Sequence, residues 1–516
     1  MKILLIYPEM PRSIGKFEHM AHLAGRKSSF PPIGLLTVAS LLPAEWEKKV
    51  VDLNTGTLSE KDLLWADYAF ISSMNVQARS AREVIALCNK FKLPVVAGGP
   101  LFTHEYEKFP GVDHFVLNEA EITLPGFLED LQRGEPQKIY QTQKFADMHS
   151  TAVPMWELVD VNNYLYSIVQ YSRGCPYLCD FCDVTALFGR VPRTKTPEQI
   201  IQELDVLVAS GNNEMIFFAD DNLIGNKKSL KNELLPALIE WRGRNEYAPA
   251  FATQLTINVA DDPEMMQLLL EAGFRHILIG IESIVEESLV HMRKKQNTRR
   301  SILDNIKFLH ESGFIVIGTF IVGLDEDTNE VFQNVIDFIQ ASGIVLVVIN
   351  VLKAPPGTEL YDRMKKENRL LETFEFDEDR TNIIPVMDPD RLQKGYKNIL
   401  QEVYSPEKIY KRILTYYKTK KQFNVKYPIK RRIRLIDLYN FLRIIVDLGI
   451  IEKNRKYFWK SVIWTVKYNY NYLDLTVLYL LLMSQYQVLL DSFLANDKKG
   501  IYIYSDKLKK NLQFGT

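Results

Sequence analysis

Apolar residues in the first 135 positions fall into short runs of buried-strand length, each closed by turn residues. The runs are Lys2–Tyr7, Lys49–Leu53, Tyr68–Ser73, Val95–Gly98 and His114–Leu117, with helical patterns such as Ala81–Phe91 between them. This alternation predicts an α/β domain over residues 1–135, a doubly wound, Rossmann-like parallel sheet. Ligands of such sheets sit beyond the C-terminal strand ends. Those ends supply Pro8, Ser72, Ser73, Met74, Gly98, Gly99, Pro100, Asn118 and Glu119. Gly98-Gly99 reads equally as a close approach of backbone to a ligand and as a tight turn. No Gly-x-Gly-x-x-Gly occurs, which argues against a dinucleotide.

Residues 136–163 mix polarity around Pro136 and Pro154 and read as a linker. Alternation then resumes with six strand candidates, Tyr164–Ser172, Glu214–Ala219, Phe251–Ile257, His276–Glu282, Ile315–Val322 and Val345–Leu352. Helical patterns such as Arg300–Glu311 and Glu330–Ala341 separate them. Another opens at Thr196-Pro197-Glu198-Gln199, a capping box with proline in the first turn, and closes at Gly211. Six βα units over residues 164–360 predict a partial (βα)6 barrel, whose chemistry belongs at the C-terminal strand ends. Asp220, Asp221 and Asn222 follow the second strand, Gln254 lies on the third, and Glu282 ends the fourth. Carboxylates there suit the ammonium and hydroxyl groups of a ligand, although Asp220 or Asp221 could equally cap the next turn.

From residue 365 to 516 the pattern is helical and rich in Lys, Arg, Tyr and Trp. Between Tyr404 and Arg434 there are eleven basic residues, including Lys430-Arg431-Arg432-Ile433-Arg434, and one acidic residue, Glu407. Aromatic residues from Tyr457 to Tyr472 precede the apolar run Leu475–Met483. That run is nine residues long, against about 20 for a membrane span, so no spanning helix is expected. Basic blocks are usually solvated faces and aromatic stripes usually core, while their adjacency also suits peripheral contact of a C-terminal helical domain with a membrane surface.

Composition narrows the class. Apolar residues make up 47% and charged residues 25% of 516, an ordinary globular balance with room for two or three domains. A formal net charge of -1 argues against a nucleic-acid partner. The apolar part of Met1–Pro8 is too short for a signal peptide. Of four cysteines, Cys88 lies in an apolar helical pattern as a buried free thiol, and no disulfide framework is suggested, which predicts a reducing, cytoplasmic setting.

The other three cysteines form Cys175-Pro176-Tyr177-Leu178-Cys179-Asp180-Phe181-Cys182, on a loop leaving a strand. Thiolates in short runs of this kind hold soft metals and iron–sulfur clusters. Three cysteines leave one iron of a four-iron cubane open to a ligand that is not protein. Structural zinc needs four ligands, and no second Cys-x2-Cys or His pair lies nearby. Core packing explains poorly three thiols sharing a loop with Pro176 and charged neighbours.

The Cys-x3-Cys-x2-Cys spacing, with Phe181 before the last cysteine, resembles the radical S-adenosylmethionine (radical SAM) family. The resemblance implies that Cys175, Cys179 and Cys182 hold a 4Fe–4S cluster whose open iron is chelated by S-adenosylmethionine. It implies that Asp220–Asn222 stand where the family contacts the methionine amino group, although the usual Gly-Gly-Glu is missing. Glu282 matches a Gly-Ile-Glu-Ser motif at the adenosine, and Phe181 and Gln254 join the S-adenosylmethionine site. The domain ahead of the loop, with Ser29-Phe-Pro-Pro-Ile-Gly and Gly98-Gly99-Pro100, is similar to the cobalamin-binding subgroup. By that likeness Pro8, Ser72–Met74, Gly98–Pro100 and Glu119 would contact cobalamin. Asp-x-His-x-x-Gly is absent, and His22-Leu-Ala-Gly25 is a partial match only, so cobalt is expected to lack a histidine.

Ser172-Arg173-Gly174-Cys175, Gly189-Arg190-Val191-Pro192-Arg193-Thr194-Lys195 and the helical tail resemble the hopanoid C-2 methylase group. The implied reaction is methylation of an unactivated carbon: a deoxyadenosyl radical removes hydrogen and methylcobalamin returns methyl. A small-molecule, lipid-like acceptor and an external electron donor of flavodoxin or ferredoxin type are implied. A radical rearrangement or cyclisation with the same cofactors is the enzymatic alternative. A non-catalytic metal-binding protein is the other, and carboxylates at several strand ends count against it. Methylthio transfer to RNA would need further cysteines, which this chain lacks.

Overall fold

The computed structural model describes residues 1–11, 17–211, 215–298, 300–371, 381–421, 425–430 and 435–498. Its N-terminal sheet comprises β1 (Lys2–Tyr7), β2 (Glu47–Asp52), β3 (Tyr68–Ser72), β4 (Val95–Gly98), β5 (His114–Val116) and β6 (Ile139–Tyr140). All pairs are parallel, in the order β2-β1-β3-β4-β5-β6. Residues of β1 alternate between two cores, Leu4 and Ile6 on one face of the sheet and Ile3 and Leu5 on the other. Burial on both faces is why the run is apolar throughout. The order reverses between β1 and β3, so the ligand crevice of this sheet class lies beyond Tyr7 and Ser72.

The sixth strand was not legible. Ile139–Tyr140 is two residues inside the segment that reads as a linker, and it extends the sheet by pairing with Phe115 and Val116. The rest of that segment is also packed, with Trp156 buried and Ala146 N–H bonded to Glu119.

The second sheet is built from β7 (Ser167–Val169), β10 (Met215–Phe218), β11 (Ala250–Gln254), β12 (Phe274–Glu282), β13 (Ile315–Val322) and β14 (Leu346–Val351). These six are parallel, neighbours in chain order, and unclosed between β7 and β14. A two-residue antiparallel ribbon, β8 (Ser172–Arg173) with β9 (Arg193–Thr194), stands beside them. The expected strand Tyr164–Ser172 therefore breaks after Val169. Asp220 is the reason: its carboxylate accepts from the N–H groups of Tyr171 (3.2 Å) and Ser172 (2.6 Å), turning both out of the ladder. Glu214, the first residue of the next expected strand, lies outside the described residues. The capping box forms as expected, Thr196 N–H donating to Gln199 Oε1 at 2.8 Å and the helix running Pro197–Ala209.

The tail is helical and shares one hydrophobic core with the second sheet. Helices Pro389–Val403 and Pro406–Thr419 pack on Val331–Ser342. Tyr404 stacks on Tyr486 with centroids 4.2 Å apart. Tyr486 Oη accepts from Val347 N–H (2.8 Å) and donates to Val347 O (2.9 Å). The run Leu475–Met483 lies in the N-terminal half of a 26-residue helix, Leu473–Lys498, because Ser484 and Gln485 interrupt the apolar run without ending the helix. Among the described residues it is the one helix long and apolar enough to cross a membrane, which corrects the estimate from run length, and 56% of its apolar window is buried in the protein. The short helix Glu18–Leu23 docks on it, His19 Nε2 lying 2.9 Å from Ser484 Oγ and Met20 N–H donating to Gln485. Arg431, Arg432 and Arg434 of the basic block lie outside the described residues.

Tyr486→Phe would leave the buried Val347 N–H without its partner. A loss of roughly 1–3 kcal/mol in apparent unfolding free energy is expected from denaturant melts. An unchanged midpoint would show that the tail is not tied to β14 through this hydroxyl.

Candidate active site at the cysteine loop

Residues 174–192 leave the ribbon after β8 and return at β9. Gly174 has φ of 95°, and a Cβ there would meet three carbonyl oxygens, of Phe188, Gly189 and Val191, each at 3.0 Å. Only glycine closes this loop without displacing backbone. Cys182 N–H donates to Cys179 O at 3.1 Å, and all three loop thiols are half-buried. Burial raises each thiol above its ordinary value, Cys182 to about 12, so soft-metal binding must displace protons. Lys294 works in the opposite direction on Cys175 and Cys179. Among the described residues no three His, Cys, Asp or Glu side chains converge on a single-ion site. Cys179 and Cys182 line a cavity of about 180 Å³ with Arg190, Thr358 and Glu359.

Asp180, inside the cysteine run, anchors it to the chain beyond β14. Leu360 N–H donates to Asp180 O (2.9 Å), and Arg363 reaches its carboxylate at 3.4 Å while holding Asp325 at 2.8 Å.

The Asp220-Asp221-Asn222 trio after β10 is engaged by the chain's own backbone. Asp220 also accepts from Ser172 Oγ; Asp221 accepts from Gly174 N–H at 3.1 Å; Asn222 Oδ1 accepts from Thr256 N–H at 3.3 Å. Burial raises the two carboxyls to about 7 and about 6 despite these bonds. The trio clamps the entry to the cysteine loop and the loop after β11. Gln254, by contrast, is exposed at the C-terminal end of β11.

Glu282 ends β12 with φ of 62° at a register shift against β13. Its carboxylate takes Lys294 Nζ at 2.6 Å and Thr319 Oγ1 at 3.1 Å. A Cβ on Gly280 would fall 2.2 Å from Glu282 Oε1 and 2.4 Å from Lys294 Nζ, so the glycine of Gly-Ile-Glu-Ser makes room for the pair. Burial opposes the charge on Lys294, but Glu282 and the nearby thiols outweigh it and hold its pKa above the ordinary value. Lys294 also lies 5.7 Å from the Phe181 ring centroid, and Gln296 Nε2 lies 3.9 Å from Cys179 Sγ.

At the N-terminal sheet, Pro8 O accepts from Gln77 at 2.6 Å and Asn54 at 3.2 Å. A Cβ on Gly98 would meet Val116 O at 2.6 Å, and one on Gly99, where φ is 90°, would meet Ser72 Oγ at 2.7 Å. The chain's own packing thus accounts for both glycines. Pro100 starts helix Pro100–Glu105, Ser73 Oγ is buried without a hydrogen bond, and Met74 is exposed. The buried carboxylate of Glu119 is taken by Arg173 (2.8 Å), Arg193 (2.9 Å) and Ala146 N–H (3.2 Å), so it bridges to the cysteine loop. Glu121 holds the same Arg173 at 2.8 Å. Burial works against Glu121, yet Arg173 outweighs it and keeps the carboxyl below the usual glutamate range. The stability this contributes is present above that range and is lost as pH falls through the depressed value.

Residues 169–339 match the radical SAM superfamily, and residues 358–494 match a domain of unknown function, DUF4070. The hopanoid C-2 methylase of Rhodopseudomonas palustris is 36% identical over 416 residues, covering 80% of this chain and 78% of that protein. An uncharacterized methyltransferase of Synechocystis is 35% identical over 478 residues, 91% of this chain and 88% of its own length. This chain belongs to the radical SAM superfamily, in the methyltransferase family that includes the hopanoid C-2 methylase. The fold agrees. The cobalamin-dependent radical SAM enzyme OxsB, solved with aqua-cobalamin and S-adenosylmethionine, superposes with a TM-score of 0.61 at 14% identity, over 98% of this chain and 82% of that one. The methyltransferase TsrM of Kitasatospora setae, solved with cobalamin and a 4Fe–4S cluster, gives 0.55 at 16% identity, over 71% and 78%.

In this radical SAM enzyme sequence reasoning missed Lys294, Gln296, Arg173 and Arg193. Arg173 and Arg193 stand inside the quoted motifs, but nothing in their spacing names a partner 54 or 74 residues away. Lys294→Met would leave Glu282 buried without its counter-charge, at a cost of about 3–5 kcal/mol. Thermal melts of the protein should show that loss, with most of it recovered in Lys294→Met/Glu282→Gln; no recovery would mean that Lys294 acts by packing alone.

Proposed function

We propose that this enzyme methylates an unactivated carbon of a small hydrophobic molecule, with a 4Fe–4S cluster, S-adenosylmethionine and cobalamin as cofactors. One observation carries the reading beyond family membership: both sheets turn their C-terminal strand ends to the cysteine loop. Glu119 and Glu121, after β5, hold Arg173 next to Gly174-Cys175, and a Cβ on Gly357, after β14, would touch the His104 ring of the N-terminal domain. Two cofactor sites facing one space is what transfer from one to the other requires.

In this reading residues 1–135 bind cobalamin and residues 164–360 hold the cluster. Cys175, Cys179 and Cys182 supply a soft, three-thiolate donor set, leaving one iron for S-adenosylmethionine. Bound together, the cofactors supply a carbon-centred radical and a methyl group. The protein's part is to bind, orient and exclude water. Asp220 and Asp221 fix the loop's entry, Asp180 fixes its middle, and Gln254, Phe181 and the Glu282–Lys294 pair border the S-adenosylmethionine side. Pro8, Ser72–Met74 and the Gly98–Pro100 turn form the floor for cobalamin. His22 lies on a helix docked against the tail, which supports a cobalt without histidine. An external electron donor of flavodoxin or ferredoxin type completes the scheme. A cytosolic setting suits it, since none of the four cysteines is in a disulfide.

Anaerobic reconstitution should give close to four irons per chain. Cys182→Ala should abolish 5′-deoxyadenosine formation and Cys88→Ala should spare it. Zinc in anaerobically purified protein would refute the cluster, and deoxyadenosine without S-adenosylhomocysteine would replace methylation by rearrangement. The holoprotein's visible spectrum should be that of a cobalamin lacking a nitrogen lower ligand, unchanged by His22→Ala.

A further inference from the structure

Two tail helices present apolar side chains outward. Of the 22 exposed large hydrophobic residues among the described ones, 11 fall between Leu438 and Tyr470. On helix Leu435–Val446 and its continuation Asp447–Ile451, Leu438, Leu442, Val446 and Ile450 recur every fourth residue. That spacing draws one stripe roughly 18 Å long at 1.5 Å per residue. On helix Arg455–Tyr468, Trp459, Ile463 and Val466 form a second stripe. Trp459 donates its indole N–H to Gly449 O at 2.8 Å, joining the two elements. A surface helix normally turns such a stripe inward.

The exposed charged residues between Leu438 and Tyr470 have one sign. They are Lys453, Arg455, Lys456, Lys460 and Lys467. None of the five pairs with a carboxylate among the described residues, and Lys456 and Lys460 lie over the Tyr457 ring at 4.8 and 5.6 Å. Asp447 and Glu452, the acids within that span, are half-buried and engaged, Asp447 with Arg443 and Glu452 with Ser484.

We infer that this face docks on an anionic lipid surface. Aliphatic stripes flanked by lysine, with Tyr and Trp at the margin, match the requirements of the membrane–water interface. A second copy of this chain fits badly, because a twofold contact would set five cations against the same five, with only Asp447 and Glu452 between them, both half-buried and already engaged. Helix Leu473–Lys498 is not the anchor. Tyr479, Leu480 and Tyr486 bury it against the second sheet, and its partner there is protein. The inference does not rest on methylation.

Flotation of the anaerobically purified full chain, with vesicles of phosphatidylcholine alone or mixed with phosphatidylglycerol across a salt series, tests it. Binding is expected to need phosphatidylglycerol and to weaken with salt. K456Q/K460Q/K467Q should lose roughly two orders of magnitude in partitioning. L442D/I463D should abolish binding, yet fold, because both positions are more than half exposed. Both variants should retain wild-type melting temperature and deoxyadenosine formation, which separates loss of docking from loss of the active site. The inference fails if the wild type does not float with phosphatidylglycerol, or if the lysine variant binds as well as the wild type. It also fails if light scattering shows a dimer that L442D/I463D splits, since the face would then belong to a second copy.

Discussion

Arg173 is where the two sheets meet. Its guanidinium is held by Glu119 and Glu121 from beyond β5 of the N-terminal sheet, while its own backbone forms β8 and leads directly into Gly174-Cys175. Removing one partner from a buried ion pair costs about 3–5 kcal/mol, whereas the intact pair adds little net stability. Its value here is geometric. The seam specifies which end of one sheet faces the other, and therefore what a ligand bound beyond β1 and β3 would face.

Polar groups around the cysteine loop follow the same logic. Asp220, Asp221 and Asp180 each bind backbone or arginine that shapes the loop, and Glu282 is matched by Lys294. Isolated buried charges would be costly, so each is paired or hydrogen-bonded. The result is a loop whose path is fixed by side chains from four separate strand ends. Among the described residues its thiols make no hydrogen bond to those carboxylates.

The tail is part of the barrel's core and not an appendage. Tyr404 and Tyr486 close on Val347, at the start of β14, and the helix Glu18–Leu23 reaches from the first domain to the same helix that carries Tyr486. Burying the long apolar helix this way leaves the two helices before it on the outside, which is why their apolar stripes stand uncovered.

By itself the sequence determined what depends on near neighbours in the chain. Buried-strand runs, the capping box at Thr196 and the cysteine spacing are local patterns, so the two parallel sheets and the cysteine loop were legible. Strand boundaries failed where a distant side chain competes for the backbone, as Asp220 does for Tyr171 and Ser172, 48 or 49 residues away. Ile139–Tyr140 was missed because two residues carry no period. The apolar run from Leu475 understated its helix because hydropathy marks burial, and helices run through polar positions. The partners of Glu119 and of the Asp220 trio were the least legible. A carboxylate at a strand end looks the same in sequence whatever it binds, and only the folded chain brings Arg173 and Arg193 to Glu119 from 54 and 74 residues away.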